Sequence, residues 1–171
     1  TEKVFSFEDM WGFRIRHITA FLKALGLERA HFVGNSMGAT LLLQVAAMNP
    51  CPWPIETAVV VSGGGHIPEN EARETLNSYD GTLEHMRRIV EVMFVSPAIR
   101  SDQDYIARRH ALSIEPGAWE ATAASRFRAP WREAGQRMPR PPDYSTVTRP
   151  ILLVTGEKDS LREPDFGPKL W

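Results

Sequence analysis

The sequence predicts an α/β fold: a parallel sheet with crossover helices, interrupted by an inserted all-helical segment. Three observations carry that prediction. Short apolar runs alternate with helical patterns at both ends of the 171-residue chain. Those runs are continuous and bounded by turn residues, as strands buried on both faces are. Between about Pro68 and Pro142 no strand pattern occurs, only apolar residues at helical spacing.

Taken in order, Ser6 followed by Glu8 and Asp9 signals a helix N-terminus. Ile15, Ile18, Leu22 and Leu25 recur at helical spacing before Gly26, so a helix is expected over 7–25. Residues 30–34 (Ala-His-Phe-Val-Gly) read as a buried strand. A Leu- and Ala-rich helix is expected from Met37 to Met48, ended by Asn49-Pro50. Pro50 to Pro54 is loop, Ala58 to Val61 a second strand, and Gly63-Gly64-Gly65 its end. In the insertion, Leu83, Met86, Val90 and Met93 form one helical stripe with Thr82 as N-cap. Ser101 and Asp102 open a second helix. Pro116 suits the first position of a third, carrying Trp119, Ala123 and Phe127. Pro139-Arg-Pro-Pro142 reads as a stiff return linker, and Ile151 to Thr155 as a third strand. The expected organisation is a core segment over 1–66, a helical insertion over 67–142 and a second core segment over 143–171.

Composition narrows the function classes. The chain is 43% hydrophobic and 24% charged, with a formal net charge of −1, so no basic field suggests nucleic acid. No apolar run reaches the ~18 residues of a membrane span. One cysteine, Cys51, cannot form an internal disulfide, and the expected location is cytoplasmic. Neither a Cys/His cluster at ligand spacing nor a phosphate loop occurs, so no metal and no cofactor is expected. The chain begins at Thr1 without methionine and stops at Trp171 inside a helical pattern; both ends read as cuts.

The chemistry lies in Gly34-Asn35-Ser36-Met37-Gly38, a G-x-S-x-G pattern between an apolar strand and a helix. That context is what a nucleophile elbow requires. A strand-to-helix turn this tight leaves no room for a side chain at either glycine, which is the expectation for Gly34 and Gly38 alike. Ser36 is then held at a strand tip, and the Met37 N–H points where charge develops on a carbonyl oxygen. The competing reading is a glycine-rich turn with an incidental serine.

Gly156-Glu157-Lys158-Asp159 follows the third strand. In a parallel sheet that loop leaves the same edge as the elbow, so Asp159 is the candidate acid to orient a histidine, with Glu157 in reserve. A solvated turn is the alternative. No histidine follows Asp159. Of the five present, His17 falls on the first helix, His31 at the wrong end of the sheet, and His85 and His110 in the insertion, partly exposed. His66 is the only one at the carboxyl end of a strand. A second oxyanion donor would come from a loop after an earlier strand, and nothing before Ser6 is long enough to supply it. As printed, the chain is therefore expected to be inactive.

These residues resemble a known family, the cap-bearing α/β-hydrolases, and among them the meta-cleavage product hydrolases. His31-Phe-Val-Gly-Asn-Ser-Met-Gly38 is similar to their strand and elbow, including the Asn before the serine. Val59-Val-Val-Ser-Gly-Gly-Gly65 resembles their next strand and its glycine-rich exit. Leu76 to Pro97, with Tyr79-Asp80-Gly81 and Met93-Phe94-Val95, resembles the start of their helical cap. Arg109-His110-Ala111 through Pro116 resembles their cap helix, and Ile151 to Asp159 their acid-bearing strand and loop. Ala39 stands where a second glycine is common in the family, and the Pro50 to Pro54 loop is unusual.

The resemblance implies an α/β-hydrolase core with an inserted helical cap. It implies hydrolysis of a carbon–carbon bond in vinylogous 2-hydroxy-6-oxo-dienoates from aromatic-ring degradation. Ser36 would be the nucleophile or assist water attack, and Asp159 the triad acid. Asn35 and Arg109 would bind substrate, Arg109 facing a carboxylate. Taken alone, Arg109 and its neighbour Arg108 read by default as a solvated helix face, and it is the resemblance that sets a substrate role for Arg109 beside that reading. The six arginines of residues 121–149, against Glu133 and Asp143, suit a mildly cationic lid or nothing at all. The expected partner is a small carboxylate-bearing molecule, with homo-oligomerisation of the parent left open. A carboxylesterase or lactonase of the same fold is the first alternative. A non-catalytic binding protein on this fold is the second.

Overall fold

A computed structural model describes residues 10–65, 67–118 and 143–163. The Ser6 cap, His66, the helix through Trp119, Ala123 and Phe127, the Pro139–Pro142 linker and most of the 121–149 arginines lie outside the described residues. By packing, the described chain forms two compact units. One comprises residues 10–65 and 143–156, the other residues 67–118 and 157–163.

The first unit is a three-stranded parallel sheet in the order β1-β2-β3, with β1 Ala30–Asn35, β2 Ile55–Val61 and β3 Ile151–Val154. Two helices accompany it, α1 Met10–Ala24 and α2 Met37–Ala46. The register sets Phe32 beside Ala58 and Ile151, and Gly34 beside Val60 and Leu153. This row faces the core, where it meets Leu42, Leu43 and Val45 of α2 and Leu22 of α1. Leu42 and Leu43 are almost completely enclosed. Truncating either to alanine should cost about 2–5 kcal/mol.

The opposite row, Val33, Val59 and Leu152, then Asn35, Val61 and Val154, turns away from α2. Val33 is 74% exposed and Leu152 59%. These strands are apolar on both faces, and on the second face Val33, Leu152 and Val154 are exposed while Val59 and Val61 are half-buried.

Helix α1 ends where Gly26 predicts. Gly26 adopts φ +66°, its N–H donates to Lys23 O, and Leu27 N–H donates to Leu22 O. This pair of bonds is a Schellman closure, which needs a left-handed residue after the helix. Leu25 lies just beyond the helix and is exposed, so it does not belong to the core stripe. Strand β2 starts three residues earlier than the apolar run suggests. Ile55 is buried, while Glu56 and Thr57 carry polar side chains that pair with Arg29 and His31, just before and within the neighbouring strand β1. Those polar residues break the hydrophobic signal without breaking the ladder.

The second unit is helical, as expected: α3 Glu71–Asn77, α4 Leu83–Met93, α5 Pro97–Arg100 and α6 Gln103–Ser113. Thr82 Oγ1 accepts from His85 N and Asp102 Oδ1 from Tyr105 N, so both anticipated caps form. The stripe of α4 is displaced from expectation. Met86 and Val90 are buried together with His85 and Ile89, whereas Leu83 and Met93 are exposed. Pro116 does not open a helix. It sits in a turn with Gly117 at φ +76°, and helical conformation begins at Ala118.

Candidate active site

Ser36 joins β1 to α2 with φ 50° and ψ −113°. A non-glycine residue in this region stores strain of about 1–3 kcal/mol and persists only where its surroundings over-determine it. Four bonds supply that constraint. Ser36 N donates to Val61 O at 2.9 Å, and Thr40 N donates to Ser36 O at 3.0 Å. Thr40 Oγ1 also donates to Ser36 O, at 3.2 Å, and accepts from Gly64 N at 2.9 Å. Ser36 occupies the cap position of α2, but its side chain makes no capping bond. The hydroxyl of this exposed residue is not consumed by the helix.

Met37 is the first residue of α2. Its N–H is among those that have no acceptor within the helix, at the positive end of the helix dipole. Asn35 ends β1 on the face of the sheet turned away from α2 and is exposed.

The glycines divide differently from expectation. A Cβ on Gly34 would lie 2.7 Å from Gly38 O and 2.8 Å from Ala39 Cα. A Cβ on Gly38 would meet nothing within 4 Å. The expectation of a clash therefore fails at Gly38: its backbone abuts Gly34, but its own Cβ would point into open space. The second tight glycine is Gly63. There a Cβ would fall 2.1 Å from Ala39 Cβ and 2.6 Å from Ser36 O. The exit of β2 is pressed against the elbow, with Ser62 at φ 47° and Ser62 N donating to Val154 O at 2.8 Å. The sequence marks Gly63-Gly64-Gly65 as a strand end, but the contact spans 24 residues of chain separation and has no local signature.

Arg109 and Asp159 belong to the helical unit. On α6, Arg109 Nη1 donates to Tyr105 OH at 3.0 Å, with its guanidinium carbon 5.7 Å from the Tyr105 ring centroid. Its Nε is buried and has no hydrogen-bond partner among the described residues. A donor left this way calls for an acceptor. The adjacent Arg108 is exposed, so the two arginines are not equivalent.

Asp159 is half-buried. Its Oδ1 accepts from Leu161 N at 3.0 Å. Burial lowers the pKa of Arg162, and the negative charge of Asp159 opposes that shift. Glu157 is exposed. The segment is tied into its unit by Ser160, whose Oγ donates to Val92 O at 2.8 Å while its carbonyl accepts from Asn70 Nδ2 at 3.1 Å.

The described histidines have structural partners. His85 is not partly exposed but 5% exposed, its Nε2 2.9 Å from Thr75 O and its Nδ1 3.4 Å from Asp80 Oδ1. His110 Nε2 lies 2.9 Å from Gly81 O. His31 is exposed, 2.9 Å from Thr57 Oγ1. Among the described residues no cluster of three His, Cys, Asp or Glu is placed to hold a metal ion. No described helix is long and apolar enough to cross a membrane.

Known proteins share these features. The alpha/beta hydrolase family model matches residues 4–169. The chain is similar to a 2-hydroxymuconate semialdehyde hydrolase of Pseudomonas putida, at 31% identity over 150 residues, 86% of this chain and 52% of the relative. A protein of the same name from Pseudomonas sp. (strain CF600) is 30% identical over 123 residues, 71% of this chain and 41% of the relative. The chain thus spans about half the length of these relatives. Among solved structures, a variant of the meta-cleavage product hydrolase CumD matches with a TM-score of 0.73 at 19% identity. That match covers 99% of this chain and 61% of the other. The 2-hydroxy-6-oxo-6-phenylhexa-2,4-dienoate hydrolase of Rhodococcus sp. strain RHA1 matches with a TM-score of 0.67 at 17% identity, covering 99% and 62%. At these identities the structural matches speak to the fold alone. With a parallel sheet, a strained serine at the strand–helix turn and a family match over nearly its whole length, the chain belongs to the alpha/beta hydrolase family.

Proposed function

We propose that the protein is a serine-dependent hydrolase acting on the carbon–carbon bond of a 2-hydroxy-6-oxo-dienoate-type product of aromatic degradation. The observation that carries this reading is Ser36, held at φ 50° between β1 and α2 with its hydroxyl free of capping. Ser36 attacks the substrate carbonyl or assists water in doing so. The Met37 N–H donates to the oxygen on which charge develops. Asp159 orients a histidine supplied by the complete protein, and Asn35 contacts substrate beside the serine. The helical segment 67–142 is the cap domain, and 1–66 with 143–171 make the core domain. A cytoplasmic location agrees with the single free thiol.

The buried Arg109 Nε supports an anionic substrate over a neutral ester. A guanidinium with a donor to spare donates to a carboxylate in charge-assisted geometry. The relatives' names carry the same chemistry, since 2-hydroxymuconate semialdehyde is a carboxylate-bearing dienoate.

A substrate panel tests the reading. The protein purified from its source is offered dienoate ring-cleavage products and neutral aryl esters. Preference for the dienoates is expected, and Arg109→Ala should lower kcat/KM for them by roughly tenfold or more, since a hydrogen bond to a charged group is worth about 1.5–3 kcal/mol. Neutral esters should be hydrolysed by that variant as before. Equal loss on both classes would assign Arg109 to cap stability, and a preference for esters would favour the carboxylesterase reading.

A further inference from the structure

The Thr40 side chain hydrogen-bonds to both halves of the elbow's support. Its hydroxyl donates to Ser36 O at 3.2 Å and accepts from Gly64 N at 2.9 Å. Gly64 is buried, so the accepting oxygen replaces water that cannot reach that amide. The two bonded groups matter for different reasons. Ser36 O belongs to the strained residue itself, and its orientation fixes ψ of Ser36. Gly64 belongs to the β2 exit, whose neighbour Gly63 packs so closely that a Cβ would overlap Ala39 and Ser36 O. To the Ser36 N–Val61 O bond and the close packing at Gly63, the Thr40 hydroxyl adds a tie bonded to both segments.

We propose that Thr40 is a positioning residue for Ser36: its hydroxyl locks the Gly63–Gly65 exit of β2 onto the elbow and so holds the serine in its reactive backbone conformation. The inference rests on reading Ser36 as the nucleophile. Thr40 touches no reacting atom in this scheme. It acts through the Ser36 carbonyl, and the position of Ser36 Oγ follows from the backbone torsions that the carbonyl fixes. Without the hydroxyl, the Gly64 amide loses that acceptor and the turn relaxes toward unstrained torsions, displacing Oγ. Displacements of this kind, on the order of 1 Å, can cost up to ~100-fold in reactivity.

Thr19 provides a matched control in the same unit. Its Oγ1 donates to Ile15 O at 2.7 Å and accepts from Trp53 Nε1 at 3.0 Å, the same one-donor, one-acceptor arrangement away from the elbow. The experiment compares the second-order rate of fluorophosphonate labelling at Ser36 in wild type, Thr40→Val, Thr40→Ser and Thr19→Val. All are measured on the full protein at a temperature where circular dichroism shows each to be folded. Thr40→Val keeps the shape and removes the hydroxyl, and about tenfold slower labelling or worse is expected. Thr40→Ser restores the hydroxyl and should label within about threefold of wild type. Thr19→Val should melt lower yet label at the wild-type rate. Labelling of Thr40→Val at the wild-type rate overturns the proposal, as does an equal slowing in Thr19→Val, which would mean general loosening. If Thr40→Val does not fold, Thr40→Cys takes its place with the same two outcomes, because a thiol is a much weaker donor and acceptor. A wild-type protein that does not label at Ser36 removes the nucleophile reading and the proposal together, and it is recognised before any variant is compared.

Discussion

At the scale of single residues, the elbow works by balancing strain against close packing. Ser36 adopts torsions that cost about 1–3 kcal/mol, and Gly34 and Gly63 let the supporting backbone come near enough to impose them. This makes the three glycines near the serine separable by experiment. Gly63→Ala should destabilise by about 1–3 kcal/mol or more through overpacking against Ala39, read as a lowered Tm. Gly38→Ala should leave Tm unchanged or raise it, since the site is open and alanine favours helix by about 1 kcal/mol. Equal loss at both positions would contradict the geometry. The G-x-S-x-G pattern made Ser36 legible in the sequence because the motif is local: a strand, five residues and a helix. Gly63 and Thr40 were not legible as its partners, because their contacts join segments far apart in the chain. Arg109 could be named from the resemblance. Its orphaned Nε, however, depends on the packing of α6 and has no trace in the residue order.

At the scale of elements, helices with a cap and a strong stripe could be read and short polar ones could not. Helix α4 starts after Thr82 and α6 after Asp102, as their cap residues announce. Helix α3 buries only Ala72, so no apolar period betrays it, although Asn70 caps it by accepting from Arg73 N at 2.8 Å. The N-terminus of α4 offers two tests. Thr82→Ala should cost about 0.5–2 kcal/mol by removing the cap to His85 N, measured by denaturation of the folded protein. Asp80 accepts from both Thr82 Oγ1 and Thr82 N, and these bonds, with the nearby His85, hold its carboxyl down at about 2 against an ordinary 3.8. The folded-state value lies below the unfolded one, so the contribution is complete above the unfolded pKa. It is lost as pH falls from about 4 toward 2. Protection of the α4 amides relative to their intrinsic exchange rate should therefore fall over that window in wild type, and Asp80→Asn should show no such step. A step that persists in Asp80→Asn would assign the acid sensitivity to another group.

At the scale of the molecule, the parallel sheet is the one anticipated from alternating apolar runs, and the described residues between 67 and 118 hold helices and no strand, as the pattern there predicts. The division into packed units was less legible. Residues 157–163, which follow β3 in the chain, pack with the helices through Ser160 and not with the sheet. Hydrophobic patterning shows that a segment is loop, not which neighbour it joins. The sheet's second face also has a consequence in solution. Val33 of β1 and Leu152 and Val154 of β3, on either side of β2, present apolar side chains to solvent on one face of the sheet, and apolar surfaces of this kind promote association. The isolated 171-residue chain should elute larger than a monomer. The double substitution Val33→Lys, Leu152→Lys should shift it toward monomer by light scattering. A monomeric wild-type chain that melts cooperatively would contradict this.

The most direct test of the central claim, that Ser36 is an activated nucleophile, is fluorophosphonate labelling of the protein purified from its source, followed by peptide mapping. A single adduct on the peptide containing Ser36, abolished by Ser36→Ala, is the predicted result. A folded protein that forms no adduct, or forms one at another residue, would contradict it and bring the binding-protein reading of this fold to the front.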